Sequence, residues 1–263
     1  MIDLSDDKAA LNAIVEKGEL PRFIYKYYPS NKNRIEDIIT NKAIWFSKAT
    51  DFNDPFDCRL AIDTNNTPDE IIKHVNYLCS TREVSAQGYL RVLLNFLNPK
   101  YRNETTNESV QYSIMKSGIS CFSKNKDNLL MWAHYSNSHE GYCITFDILK
   151  DPSFFMIPII LSYKTDYPDF NYIREKPSLF QFIFGNKSID WKYEEEIRIV
   201  KQEQGQVKIK PEAIVKITFG IQNQKSNQEK LIEMFKANGF NHTEFEVAKK
   251  EEKKYKLDFI ELK

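Results

Sequence analysis

The run Trp191-Lys192-Tyr193-Glu194-Glu195-Glu196-Ile197-Arg198-Ile199 gathers three carboxylates and a guanidinium into a short stretch. Read as a strand, it sends Tyr193, Glu195, Ile197 and Ile199 to one face and Glu194, Glu196 and Arg198 to the other. The isoleucines mark the core side. The opposite side then offers two carboxylates beside a cation, which suits acid chemistry, ion pairing or the holding of ribose hydroxyls. A solvated strand face with one Arg–Glu pair fits the same residues. A second run joins Cys121-Phe122-Ser123, a strand end, to Leu129-Leu130-Met131-Trp132-Ala133-His134-Tyr135, within a helix expected over 125–135 and begun by Asp127 or Asn128. His134 and His139 do not share a helical face and no H-E-x-x-H motif occurs, so structural, hydrogen-bonded histidines are expected and no metal ligands. A third, Asn53-Asp54-Pro55-Phe56-Asp57, either holds a cation and orders a nearby site or caps its own turn through side-chain to backbone bonds.

The elements that position these runs follow from periodicity. Helices are expected from about 6 to 17, capped by Asp6 and closed by Gly18, and from 30 to 40, where Ile35, Ile38 and Ile39 are helically spaced. Strand character appears over 22–28, 43–47, 118–123, 141–147, 155–163, 194–201 and 214–219, and the 256–262 tail alternates like an edge strand. A helical insert is expected at about 67–116, opened by the capping box Thr67-Pro68-Asp69-Glu70. A second capping box, Ser226 to Glu229, opens a helix that Gly239 ends. Strands of mixed spacing with helices in blocks predict an α+β chain, one domain over 1–263 around a central mixed or antiparallel sheet.

Composition narrows the chemistry. The 263 residues include only eight glycines, at 18, 88, 118, 141, 185, 205, 220 and 239, none closer than fifteen residues apart. That excludes the glycine-rich dinucleotide and phosphate loops and the G-x-S-x-G nucleophile elbow. Thirty-seven basic and 37 acidic residues cancel, so no whole-molecule field draws the protein to nucleic acid or an anionic membrane. The longest apolar stretch, 154–161, contains Pro158 and is far shorter than the ~20 residues of a spanning helix. With an acidic N-terminus lacking a signal-peptide pattern and no C-x-x-C pair, a cytoplasmic protein with reduced thiols and no membrane partner is expected.

As a set, Asn53-Asp54-Pro55-Phe56-Asp57, Leu130-Met131-Trp132-Ala133-His134-Tyr135 and Trp191-Lys192-Tyr193-Glu194-Glu195-Glu196-Ile197-Arg198 resemble a widespread bacterial family catalogued only as a domain of unknown function. Its members are often met near mobile elements and toxin or phage-defence genes. More distantly the chain resembles ADP-ribosyltransferases, which cleave NAD without a glycine-rich loop. That likeness implies an ADP-ribosyltransferase-like fold, NAD as substrate, and a protein or nucleic-acid acceptor. It gives the first-strand position to Tyr25 or Lys26, where those enzymes carry Arg or His. It gives the second position to Ser123 and the late glutamate to Glu196, with Glu194 beside it. Lys26 would offset the diphosphate charge, and Tyr135 or Trp132 would stack on nicotinamide, with Asn53, Asp54, His134 and Arg198 completing the cofactor side. On this reading Lys26, Ser123 and Glu196 line one pocket; should they lie on unrelated surfaces, the NAD reading fails and the motifs are structural. Two other classes remain: a metal-dependent nuclease or phosphoesterase using Asp54, Asp57, Glu194 and Glu196, and a non-catalytic interaction module in which Trp45, Trp132 and Trp191 are core.

Overall fold

A computed structural model of the chain describes residues 4–30, 34–80, 83–175 and 178–262. The elements in order are α1 (Leu4–Glu16), β1 (Phe23–Tyr28), α2 (Arg34–Asn41), β2 (Ala43–Phe46), β3 (Ala61–Ile62), α3 (Pro68–Ser80), α4 (Ala86–Leu97), α5 (Pro99–Lys116), β4 (Gly118–Ser123), α6 (Leu129–Tyr135), β5 (Tyr142–Asp147) and α7 (Pro152–Phe155). There follow β6 (Ile159–Ile160), β7 (Ser162–Lys164), β8 (Asp169–Phe170), α8 (Tyr172–Glu175), α9 (Leu179–Phe184), β9 (Asn186–Ser188), β10 (Glu196–Lys201), β11 (Gly205–Lys208), β12 (Ile214–Phe219), α10 (Lys225–Ala237), β13 (Glu244–Lys250) and β14 (Leu257–Leu262). The chain is thus mixed α and β. It forms two compact units, one from Met1–Ser47, Gly118–Leu161 and Asp190–Lys263, the other from Lys48–Ser117 and Ser162–Ile189.

The first unit is built on a mixed sheet that among the described residues has eight strands, in the order β14-β13-β12-β5-β1-β4-β10-β6. Its pairs are antiparallel except β12 and β13, which run parallel because α10 carries the chain back across the sheet. Alternation divides the sheet cleanly. Ile24 and Tyr28 of β1, Phe122 of β4, Ile144 and Phe146 of β5, Ile197 and Ile199 of β10, and Ile217 and Phe219 of β12 face the larger core with Leu11, Ile38, Phe155 and Phe235. On the other face Tyr27 and Cys143 pack with Met131 and Trp132 of α6, along with Ala248 and Leu257.

The second unit packs Ile71, Val75 and Phe96 into a helical core, with two short parallel strand pairs, β3 with β8 and β7 with β9. The capping box forms as expected: the Glu70 carboxylate accepts from the Thr67 amide at 2.9 Å and the Thr67 hydroxyl accepts from the Glu70 amide at 3.3 Å.

Several expectations need correction. α1 starts at Leu4, so Asp6 lies within the helix and does not cap it. The box at Ser226 does not form, since α10 already begins at Lys225 with Gln224 as its cap residue. The strand expected over 155–163 is broken, because Pro152 starts the short α7 and only Ile159–Ile160 joins the large sheet. Trp132 is core, yet Trp45 remains 38% exposed, with the Arg34 guanidinium 5.2 Å from its ring centroid.

Candidate functional site

One register row crosses the sheet of the first unit. Glu196 of β10 faces Ser123 of β4, Ser123 faces Tyr25 of β1, Tyr25 faces Thr145 of β5, and Thr145 faces Lys216 of β12, itself opposite Glu244. Directly paired residues project to the same side, so these six polar side chains form a band across six strands on the face opposite the large core.

At one end of the band, Glu196 is buried and holds Arg198, two residues along the strand, through Nε at 2.7 Å and an Nη at 3.3 Å. Both faces of β10 are therefore buried, and the solvated strand face allowed by the sequence is not found. Such a two-point contact fixes the carboxylate in plane. The strand itself begins only at Glu196. Residues 189–194 form a tight 3₁₀ turn and Glu195 takes the left-handed φ of 45°, which breaks the simple alternation read from the sequence. Glu194 is consequently held by the turn, where Tyr135 of α6 donates to its Oε1 at 2.5 Å.

Ser123 is buried with its hydroxyl engaged: it donates to the Glu194 carbonyl at 2.7 Å and accepts from the Asn125 amide at 3.1 Å. It ties β4 to the turn carrying the glutamates, a positioning task. Asn128 adds a second tie, capping α6 through Oδ1 while its amide donates to the Tyr193 carbonyl at 2.9 Å. His134 is exposed, its ring centroid 6.1 Å from that of Tyr193 and 6.5 Å from that of Tyr135. Tyr25 is half-buried, and its phenol is held above its ordinary pKa chiefly by burial, with the Glu246 carboxylate adding to the rise, so it stays neutral.

Two expected members in the first unit do not join this group. Lys26 projects from β1 beside Ile144, on the large-core face, where its ammonium donates to the Cys121 carbonyl at 2.7 Å and lies 5.1 Å from the Phe122 ring centroid. Burial lowers its pKa, a fall that Arg34 adds to and that Cys121 and Glu196 resist. The single pocket expected for Lys26, Ser123 and Glu196 is not formed, because adjacent strand residues alternate faces and Tyr25, not Lys26, is in register with Ser123. Trp132 is fully buried, donates from its indole to the Lys126 carbonyl at 2.8 Å and meets Tyr27 edge-on, so it is no ring platform for a ligand.

Asn53 and Asp54 belong to the second unit. There the Asp54 carboxylate accepts from the Phe56 amide at 2.9 Å and the Asp57 carboxylate from the Cys58 amide at 2.7 Å, the turn-capping alternative. Among the described residues no three or more His, Cys, Asp or Glu side chains are placed to hold a metal ion.

Thr145 and Lys216 went unnoticed in the sequence although Tyr142-Cys143-Ile144-Thr145-Phe146-Asp147 and Val215-Lys216-Ile217-Thr218-Phe219 alternate with period two. Thr145 is buried with its hydroxyl unpartnered. The signal was there, but nothing in a single strand says which neighbour it will face.

A family model described as "Protein of unknown function (DUF2971)" matches residues 131–199, which take in α6 from Met131 onward, Glu194, Glu196 and Arg198. No curated protein and no solved structure matches the chain.

Proposed function

We propose that the first unit cleaves NAD at its glycosidic bond and transfers ADP-ribose, as an ADP-ribosyltransferase-like enzyme. The observation that supports this reading is the register row Tyr25–Ser123–Glu196 across three adjacent strands. The resemblance calls for a first-strand residue, a second-strand serine and a late glutamate without a glycine-rich loop; here Tyr25 stands at the first-strand position where those enzymes carry Arg or His. Glu196, held by Arg198, is the charge that stabilises an oxocarbenium-like ribose as the bond from its anomeric carbon to nicotinamide breaks. The bonding pair leaves with the pyridine nitrogen and neutralises it. An acceptor oxygen or nitrogen then bonds to the anomeric carbon and gives up its proton to solvent. Ser123 and Asn128 hold the glutamate turn in place, and Tyr25, Tyr135 and His134 supply aromatic surface at the accessible side of the group. The acceptor is a protein or nucleic acid, and the setting is cytoplasmic, in a toxin or phage-defence system.

Incubation with NAD is expected to release nicotinamide, and Glu196→Gln to slow that release by at least ~100-fold while the circular dichroism spectrum is kept. Equal turnover by the variant rejects the assignment.

A further inference from the structure

The Asn53-Asp54-Pro55-Phe56-Asp57 loop has work of its own in the second unit. Its carboxylates hold the chain: Asp54 and Asp57 accept backbone amides, the Asp57 amide donates to the Asp54 carbonyl at 3.2 Å, and Lys187 lies 3.8 Å from the Asp57 carboxylate. Arg59 reaches back to the Pro55 carbonyl at 2.9 Å. What this rigid turn presents is Phe56, 67% exposed, a large aromatic side chain kept out of the core. Phe56 lines a cavity of about 330 Å³ with Tyr167, itself 44% exposed, and with Arg59 and Lys164. Lys164 has no partner among the described residues. Lys187 is matched by Asp57, and Asp166, which accepts from the Thr165 hydroxyl at 2.8 Å, offsets one of Arg59 and Lys164, so the cavity keeps one net positive charge.

We infer that this cavity is a nucleotide site: a planar base stacks on Phe56 and Tyr167, and a phosphate takes the free N–H groups of Arg59 and the Lys164 ammonium. A volume at the lower end of the ~300–1,000 Å³ range of ligand sites suits a nucleoside monophosphate better than a dinucleotide. The inference is independent of NAD cleavage, which uses the other unit.

Calorimetric titration of the full chain with AMP, adenosine and ribose 5-phosphate tests it. AMP is expected to bind more tightly than either fragment. Phe56→Ala, which removes an exposed ring and leaves the core intact, should weaken AMP at least ~5-fold. Lys164→Ala should weaken AMP and ribose 5-phosphate and leave adenosine unchanged, and Glu196→Gln should bind AMP as the unaltered chain does. Absence of AMP binding at millimolar concentration, or AMP affinity unchanged in both Phe56→Ala and Lys164→Ala, overturns the inference.

Discussion

Tyr135 and Glu194 show how one hydroxyl governs the glutamate turn. The phenol donates to a carboxylate whose residue is almost wholly removed from water, so the bond opposes the desolvation of a charge. Tyr135→Phe keeps the ring and deletes the donor. Its expected cost is about 1–3 kcal/mol, read as a lower urea midpoint with an unchanged slope; a variant as stable as the parent would show that the turn does not need this donor. If the glutamate turn serves NAD cleavage, the same variant lowers turnover without altering the far-ultraviolet spectrum. The thiol of Cys121, on β4 opposite Arg198, is pushed well up by burial and by the charge of Glu196. It is therefore a poor nucleophile at neutral pH, and iodoacetamide is not expected to inactivate the site through it.

Among elements, α3 carries the clearest pH signature. Arg174 of α8 donates to Glu70 at 2.8 Å and lies 3.6 Å from Asp63, binding the start of α3 to α8 within the second unit. The Arg174 bond, aided by the Thr67 amide, lowers the Glu70 pKa from 4.5 to about 2. A carboxylate whose folded pKa is depressed stabilises the fold above its unfolded pKa and loses that contribution as pH falls through the folded value. The gap in melting temperature between the parent and Arg174→Ala should accordingly be full above pH 4.5 and close toward pH 2. A gap that is constant over this range would assign the effect of Arg174 to packing. The same helix shows what was legible in the sequence. Thr67-Pro68-Asp69-Glu70 is a local signal, complete within four residues, and it forms. Ser226 to Glu229 carries the same signal, but the chain enters α10 two residues earlier than that box requires and the hydroxyl has no free end to cap. Glu194 to Arg198 looked like a regular strand because nothing in the residue types announces the left-handed Glu195 that resets its register. β13 was missed: its apolar positions, Phe245, Val247 and Ala248, do not alternate, and lysines and glutamates fill the rest. The polar row could be read residue by residue but not as a row, since register between distant strands is a tertiary property.

For the molecule as a whole, 37 positive and 37 negative side chains cancel, and among the described residues no helix is long and apolar enough to cross a membrane. Recognition then rests on local groups such as Arg59 and Lys164 and not on a steering field. The register row has a further consequence, which belongs to time and not to chemistry. β1 hydrogen-bonds to β4, made roughly a hundred residues later, and β4 to β10, later again by about seventy. During synthesis the first strand must wait, its tyrosines and isoleucine uncovered, while the whole of α3 to α5 is made and can pack locally. Closing loops of that length before any contact rewards them makes the sheet the slow step. Refolding from urea should show the helical signal returning ahead of Trp132 burial, with the sheet completing over milliseconds to seconds; simultaneous recovery of both signals would show that the two units fold as one. Until β4 and β5 are made, β1, and after that the outer edge of β4 until β10 is made, are the parts of the nascent chain with most need of a chaperone.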